Sequence, residues 1–177
     1  HICMQAPTSP PLAELISYLD TLPEPHILCD TAYHILAANK AYHHHYGSGE
    51  AIVGQTCYAV SHRYAAPCDK AGETCPLKQS LASGQRERML HLHHTPEGEA
   101  YVNIELSPVC GANGEIAYFI EKMESLGVSR GRPAARALVG RAPAFRRMLE
   151  LMARVAPAEA TVMLQGESGT GKELVAK

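Results

Sequence analysis

Residues 86–123 carry three consecutive strand-like segments, the first two alternating apolar and polar residues, and no other feature restricts the fold as much. "RERMLHLHH" (86–94) runs to the turn-rich "TPEGE". "YVNIELSPV" (101–109) runs to "CGANGE", and "IAYFIEKM" (116–123) closes the set. A period of two sends side chains alternately to the two faces of a strand, and short Gly-bearing connections return each strand beside the last. Three antiparallel strands are therefore predicted, with an apolar face that other elements must cover.

The covering elements lie upstream. "LAELISYLDTL" (12–22) is apolar at 12, 15, 16, 19 and 22, a helical stripe that Pro23 and Pro25 end. "HILCD" reads as a short strand, Asp30-Thr31-Ala32 as a turn and "YHILAA" as a second strand. Asn39 suits the cap of the next helix, "KAYHHHYG", which Gly47 closes. Gly49 and Gly54 bracket a short helical turn leading into Cys57. In "TCPLKQSLASG", Thr74 or Cys75 sits at a helix cap, Pro76 at the first helical position and Gly84 just past the end.

Two strands, several short helices, then three antiparallel strands is an order that resembles the PAS fold, a five-stranded antiparallel sheet gripped on one face by short helices. The resemblance rests on "HILCDTAYHILAANKAYHHHYG" and on "GQTCYAV", and it covers residues 12–123. The expected fold class is therefore α+β. Residues 1–11, opening His1-Ile2-Cys3-Met4, read as a tag remnant and a disordered N-terminus, so Cys3 carries no functional weight.

Half of the six cysteines fall in "CYAVSHRYAAPCDKAGETCPL" (57–77). No signal-peptide layout opens the chain, and no apolar run approaches the roughly eighteen residues of a membrane span. A cytoplasmic, reducing location follows, where clustered cysteines serve as metal ligands or redox-active thiols more often than as disulfides. The spacing is Cys57-x10-Cys68-x6-Cys75, with His62 between the first two. Pro67 and Pro76 stiffen the backbone beside two of these residues, and a cysteine at a helix start gains thiolate character. The polar loop "PCDKAGETC" is a poor place for ordinary core cysteines. On the "ERMLHLHH" strand, His91 and His93 share one face, so His62, His93 or His91 can supply a fourth ligand.

A set of PAS domains carries "CY…H…PC…CPL" followed by an H-x-H strand. This chain resembles that set at Cys57, Tyr58, His62, Pro67, Cys68, Cys75, Pro76, Leu77, His91 and His93. The resemblance implies a cofactor or metal held by three cysteines and one histidine. Tetrahedral zinc and an iron–sulfur cluster both suit such ligands, and a metal-free thiol switch is the remaining functional alternative. His43, His44 and His45 point different ways around one helix and read as surface residues. Cys29 and Cys110 read as small core residues. No histidine is singled out as a haem ligand, and no flavin motif is present.

Beyond residue 123 the character changes. Residues 1–123 hold 7 Lys/Arg against 13 Asp/Glu, whereas residues 124–177 hold 9 against 5. "ESLGVSRGRPAARA" (124–137), with Gly, Ser, Pro and Arg, reads as a linker. In residues 138–177, Phe145, Met148, Leu149, Met152 and Val155 form a helical stripe stopped by Pro157, and "ATVMLQ" suits a buried parallel strand. Gly166-Glu167-Ser168-Gly169-Thr170-Gly171-Lys172 then forms a phosphate-cradling G-x-x-x-x-G-K loop, with Glu173 where Ser or Thr usually holds magnesium.

That exception and the surrounding sequence resemble the opening of the AAA+ domain of sigma-54-dependent transcription activators, where "GESGTGKE" is typical. The resemblance implies that Gly166 to Glu173 bind the phosphates of ATP, and that the protein acts on sigma-54 RNA polymerase and DNA through regions beyond residue 177. Without those regions, residues 138–177 are expected not to hydrolyse ATP, and no nucleophile–base pair suggests another enzyme. The expected whole is the sensory part of a transcription regulator, responsive to a redox or metal-linked signal and pairing as a homodimer through its PAS region. The alternative is a small-molecule-binding PAS module with a purely structural zinc.

Overall fold

The computed structural model describes residues 12–47, 51–96, 98–125, 142–155, 161–168 and 172. The chain divides into two units, His1–Glu124 and Ser125–Lys177. In the first, the order is α1 (Leu12–Leu19), β1 (His26–Asp30), β2 (Ile35–Ala38), α2 (Lys40–Tyr46), α3 (Cys57–His62), α4 (Pro76–Ser83), β3 (Glu87–Thr95), β4 (Gly98–Cys110) and β5 (Ile116–Ser125). The strands form one five-stranded sheet in the order β2-β1-β5-β4-β3.

This order seats β1 in the interior, antiparallel to β2 and to β5. Its continuous apolar sequence fits that place, because Ile27, Leu28 and Cys29 are all fully buried. Alternation then assigns the faces. Ile27 and Cys29 pack with Val102, Ile104, Leu106, Phe119 and Met123, on the side that also receives Tyr42, Cys68, Cys75 and Leu77 from the helices and loops. Leu28 turns the other way and packs with Ala37, Leu15 and Leu19 of α1, flanked by Tyr118 and Ile120.

The short elements end where their residues dictate. Asp30 Oδ1 accepts from the backbone N–H groups of Ala32 and His34, both at 2.8 Å, which closes the β1–β2 turn. Helix α4 starts with Cys75 at the cap and Pro76 behind it, and stops at Gly84 in the left-handed region (φ 67°).

Asn39 does more than cap α2. Its Oδ1 accepts from Tyr42 N–H and from His26 N–H, both at 2.9 Å. Its Nδ2 donates to the carbonyls of Leu19 at 3.0 Å and Glu24 at 2.9 Å. One side chain, 1 % exposed, thus joins the end of α1, the connection into β1, the first residue of β1 and the start of α2.

Among the described residues of the second unit, α5 (Pro143–Val155) buries Leu149 and half-buries Phe145, Met148, Met152 and Val155, while Leu151 is exposed. The helical stripe is where the spacing places it, and Pro157 lies outside the described residues. The buried strand expected over "ATVMLQ" does not form in residues 161–165. They belong to no strand, with Val162 55 % and Met163 78 % exposed. A parallel strand needs neighbours to take its N–H and C=O groups, and among the described residues of this unit no strand is present to do so. No helix among the described residues is long and apolar enough to cross a membrane.

One charged side chain faces the helix-covered core. Glu121 on β5 lies opposite Ile27 and is buried, and its carboxyl is pushed up to about 8, first by burial and then by the charge on Cys75. Two outcomes follow. Asn39→Ala, which leaves buried donors and carbonyls unmatched, is expected to cost about 3 kcal/mol in chemical denaturation, and Asn39→Asp is not expected to rescue it at neutral pH, because its carboxylate would face the Leu19 and Glu24 carbonyls. The raised Glu121 contributes stability that is complete below its ordinary value of 4.5 and is lost as pH rises through about 8. Thermal unfolding should therefore show stability falling across that window by at most about 1.4 kcal/mol per pH unit, and Glu121→Gln should flatten the fall.

Candidate functional site

The segment from Cys57 to Leu77 wraps over the helix-covered face of the sheet. Cys57 opens α3, a helix that the sequence reading did not extend past the preceding turn, and His62 ends it. Arg63 takes the left-handed conformation (φ 58°), and its N–H returns to the carbonyls of Tyr58 and Ala59. The following loop closes on itself. Cys68 C=O accepts from Ala71 N–H at 3.1 Å and from Glu73 N–H at 2.8 Å, and Lys78 of α4 grips Asp69 at 2.6 Å.

This self-sufficiency overturns one expectation. The polar sequence around Cys68 and Cys75 suggested cysteines held out of the core, yet both are buried, 4 % exposed, beside Ile27, Val102 and Leu106. The loop satisfies its own backbone groups, which frees its two thiols to point inward. Cys29, which read as ordinary core, lies among them. Cys57 has Cys29 as its neighbour, and Cys68 has Cys75. All four are free thiols in one apolar cluster. Cys110 does not share their setting: half-buried at the end of β4, it takes part in a disulfide.

Cys68 is pushed up, first by its bond to Cys75 and then by burial. Cys75 is lowered to about 7 by the same bond, against burial, with the backbone N–H groups of Leu77 and Lys78 assisting from the start of α4. Of the two, Cys75 is therefore the thiol that gives up its proton more readily. Cys57 is likewise pushed up by its bond to Cys29 and by burial, and so keeps its proton. Negative charge on Cys75 reaches Cys57, Cys68 and Glu121, which places the four thiols and the buried carboxyl in one electrostatic neighbourhood.

The three histidines named as alternative fourth ligands converge with one another. Helix α3 packs on β3, and the β3–β4 register sets His91 opposite Val102 and His93 opposite Ala100. His62, His91 and His93 are all buried, and one ligand atom from each lies within 4.8 Å of the others. Among the described residues, this is the group of three or more such atoms that converges, and no cysteine sulfur belongs to it. Burial lowers His62 below the usual imidazole range, and lowers His93 well below it. By contrast, His43, His44 and His45 are exposed, as expected of residues spread around a short helix.

In the second unit, Gly166, Glu167, Ser168 and Lys172 are described. Lys172 Nζ donates to the Gly166 carbonyl at 2.7 Å and to that of Glu167. Gly169, Thr170, Gly171 and Glu173 lie outside the described residues.

Known proteins divide the chain in the same sequence. A family model described as PAS fold matches residues 19–128, and one described as Sigma-54 interaction domain matches residues 138–177. The transcriptional regulatory protein ZraR of Escherichia coli strain K12 is 58% identical over 40 residues, 23% of this chain and 9% of that protein. The Nif-specific regulatory protein of Bradyrhizobium diazoefficiens is 45% identical over 64 residues, 32% of this chain and 11% of that protein. The chain thus spans about a tenth of these curated relatives.

Solved structures match in fold alone. The LOV protein of Rhodobacter sphaeroides gives a TM-score of 0.54 at 18% identity, covering 93% of this chain and 89% of that one. A PAS domain from Colwellia psychrerythraea gives 0.53 at 15% identity, covering 65% of this chain and 96% of that one. The sheet order, the helix-covered face and the match over residues 19–128 lead to one conclusion: the chain belongs to the PAS-fold family, and its PAS module is followed by the opening of a sigma-54 interaction domain.

Proposed function

We propose that this chain is the sensory region of a cytoplasmic bacterial transcription activator, in which the PAS module answers a metal- or redox-linked signal and governs an ATP-dependent output acting on sigma-54 RNA polymerase. The observation that carries the sensory half is the gathering of Cys29, Cys57, Cys68 and Cys75 with Glu121 inside the PAS core. Buried cysteines pack as small apolar residues, so what points to a ligand or a reaction is four of them meeting in one cluster with Cys75 lowered to about 7 at a helix start.

The donor set fits an iron–sulfur cluster. Such clusters take four thiolates, and Cys29 supplies the fourth sulfur beside the three that the sequence singles out. Bound there, a cluster would supply one-electron chemistry, and Cys29, Cys57, Cys68 and Cys75 would hold it as thiolates. The chain's own part is to exclude water from the sulfurs with Ile27, Val102 and Leu106 and to hold Cys75 at the start of α4. A zinc ion on the same thiols, leaving a PAS module that binds a small molecule, is the second reading. Its support is the loop closed by Cys68 C=O and by the Lys78–Asp69 pair, an arrangement suited to a structural ion.

For the output half, Gly166 to Glu173 would cradle ATP phosphates, with the Lys172 ammonium leaving the Gly166 and Glu167 carbonyls to meet the terminal phosphates. Contacts with DNA, and pairing of PAS modules into a homodimer, complete the proposal.

Two measurements test it. Protein purified without oxygen is expected to be brown and to contain iron and labile sulfide in comparable amounts, with Cys68→Ala losing both. Colourless protein with stoichiometric zinc would support the second reading, and protein with neither metal nor sulfide would refute both. In the full-length regulator, Lys172→Ala is expected to weaken ATP binding at least tenfold, and an unchanged affinity would remove the nucleotide role.

A further inference from the structure

The three buried histidines raise a question that the thiols do not answer. His62 Nδ1 lies 2.8 Å from the Leu92 carbonyl, and His91 Nε2 lies 2.7 Å from the Thr74 carbonyl. A carbonyl oxygen only accepts, so each of those nitrogens is the protonated one. In the neutral rings, His62 Nε2 and His91 Nδ1 are therefore both lone-pair atoms, and they face each other at 3.2 Å. Two lone pairs at that distance repel unless a positive centre lies between or beside them. Close by, with its ring centroid 4.8 Å from that of His62, His93 presents an Nε2 that is buried and has no hydrogen-bond partner.

A proton would relieve the facing pair only by making a buried imidazolium, and it would leave His93 Nε2 as it is. A metal ion relieves all three at once. Nitrogens around one tetrahedral zinc stand roughly 3.3 Å apart, given Zn–N bonds of about 2.0–2.1 Å. The His62–His91 pair already has that spacing, and the widest separation in the set, 4.8 Å at most, needs to contract by no more than about 1.5 Å. The outer nitrogens of two rings are held by backbone carbonyls, the support that metal-ligating histidines usually have.

We infer that His62, His91 and His93 form a metal site of their own, separate from the thiols, that takes a divalent transition-metal ion of the zinc, cobalt or iron(II) class. Three imidazoles leave a fourth position open for water or an exogenous ligand. The inference deepens the metal-linked reading above but does not depend on which group the thiols hold. Its structural effect is specific: the ion would fasten the end of α3 to β3, and through the Thr74 carbonyl to the residue that precedes Cys75.

The test titrates the anaerobic, reduced 177-residue protein with cobalt(II). Expected are one equivalent bound and visible d–d bands without the intense near-ultraviolet absorption of thiolate-to-cobalt charge transfer. His62→Gln and His93→Gln should each weaken binding at least tenfold, whereas His43→Gln, at an exposed histidine of α2, should bind within twofold of the parent. X-ray absorption on the zinc-loaded parent, which needs no variant to fold, should show nitrogen or oxygen neighbours and no sulfur shell near about 2.3 Å. Cobalt binding that His62→Gln and His93→Gln leave unchanged, with thiolate charge transfer that disappears with Cys68→Ser, would overturn the histidine site while leaving the metal-linked reading intact. Folded protein that takes up no cobalt would overturn the site as well, and its iron and sulfide content would then judge the thiol reading separately.

Discussion

The PAS unit depends on the Asn39 side chain. A five-stranded sheet with short helices has few long elements to hold its opening together, and α1, β1 and α2 span only eight, five and seven residues. Helices this short are not stable by propensity and need tertiary ties. Asn39 provides them with an amide whose oxygen takes two backbone N–H groups and whose nitrogen reaches two carbonyls. The central position of β1, and with it the inward aim of Cys29 beside Cys57, follows from that anchorage.

On this frame the thiols and the histidines occupy neighbouring but different settings. The sulfurs lie in the apolar cluster under α4 and against β1, where Cys75 is lowered to about 7 and burial raises Glu121 to about 8. The imidazoles lie between α3 and the edge strand β3, where burial lowers His62 and lowers His93 further. Soft sulfur donors and borderline nitrogen donors are thus sorted by the fold, although the sequence mixes them along one segment.

Much of this was legible from residue order alone. The alternation of residues 86–123 located three strands, Asn39 and Gly47 bounded α2, and Pro76 with Gly84 bounded α4. The same-face placement of His91 and His93 followed from period two and agrees with their cross-strand partners. Cys29 was missed as a partner of Cys57 because 28 positions separate them and only the β1–β5 pairing and the start of α3 bring them together. The convergence of His62 with the β3 pair was equally hidden, since it needs the α3–β3 packing. The "ATVMLQ" strand failed for the opposite reason: local pattern was sufficient, but a parallel strand exists only with neighbours to bond it.

The pairing of β3 with β4 carries one more consequence. Nine consecutive residues of β3, Glu87 to Thr95, are matched one to one against β4 without a bulge. A slip of a single residue would turn His91 and His93 outward together and bring Leu92 and His94 into their place. The register that seats both imidazoles inside is thus specified by every residue of the strand together. Any ion seated on the imidazoles would act as a latch on strand register, and its loss would be felt along the whole length of β3 at once.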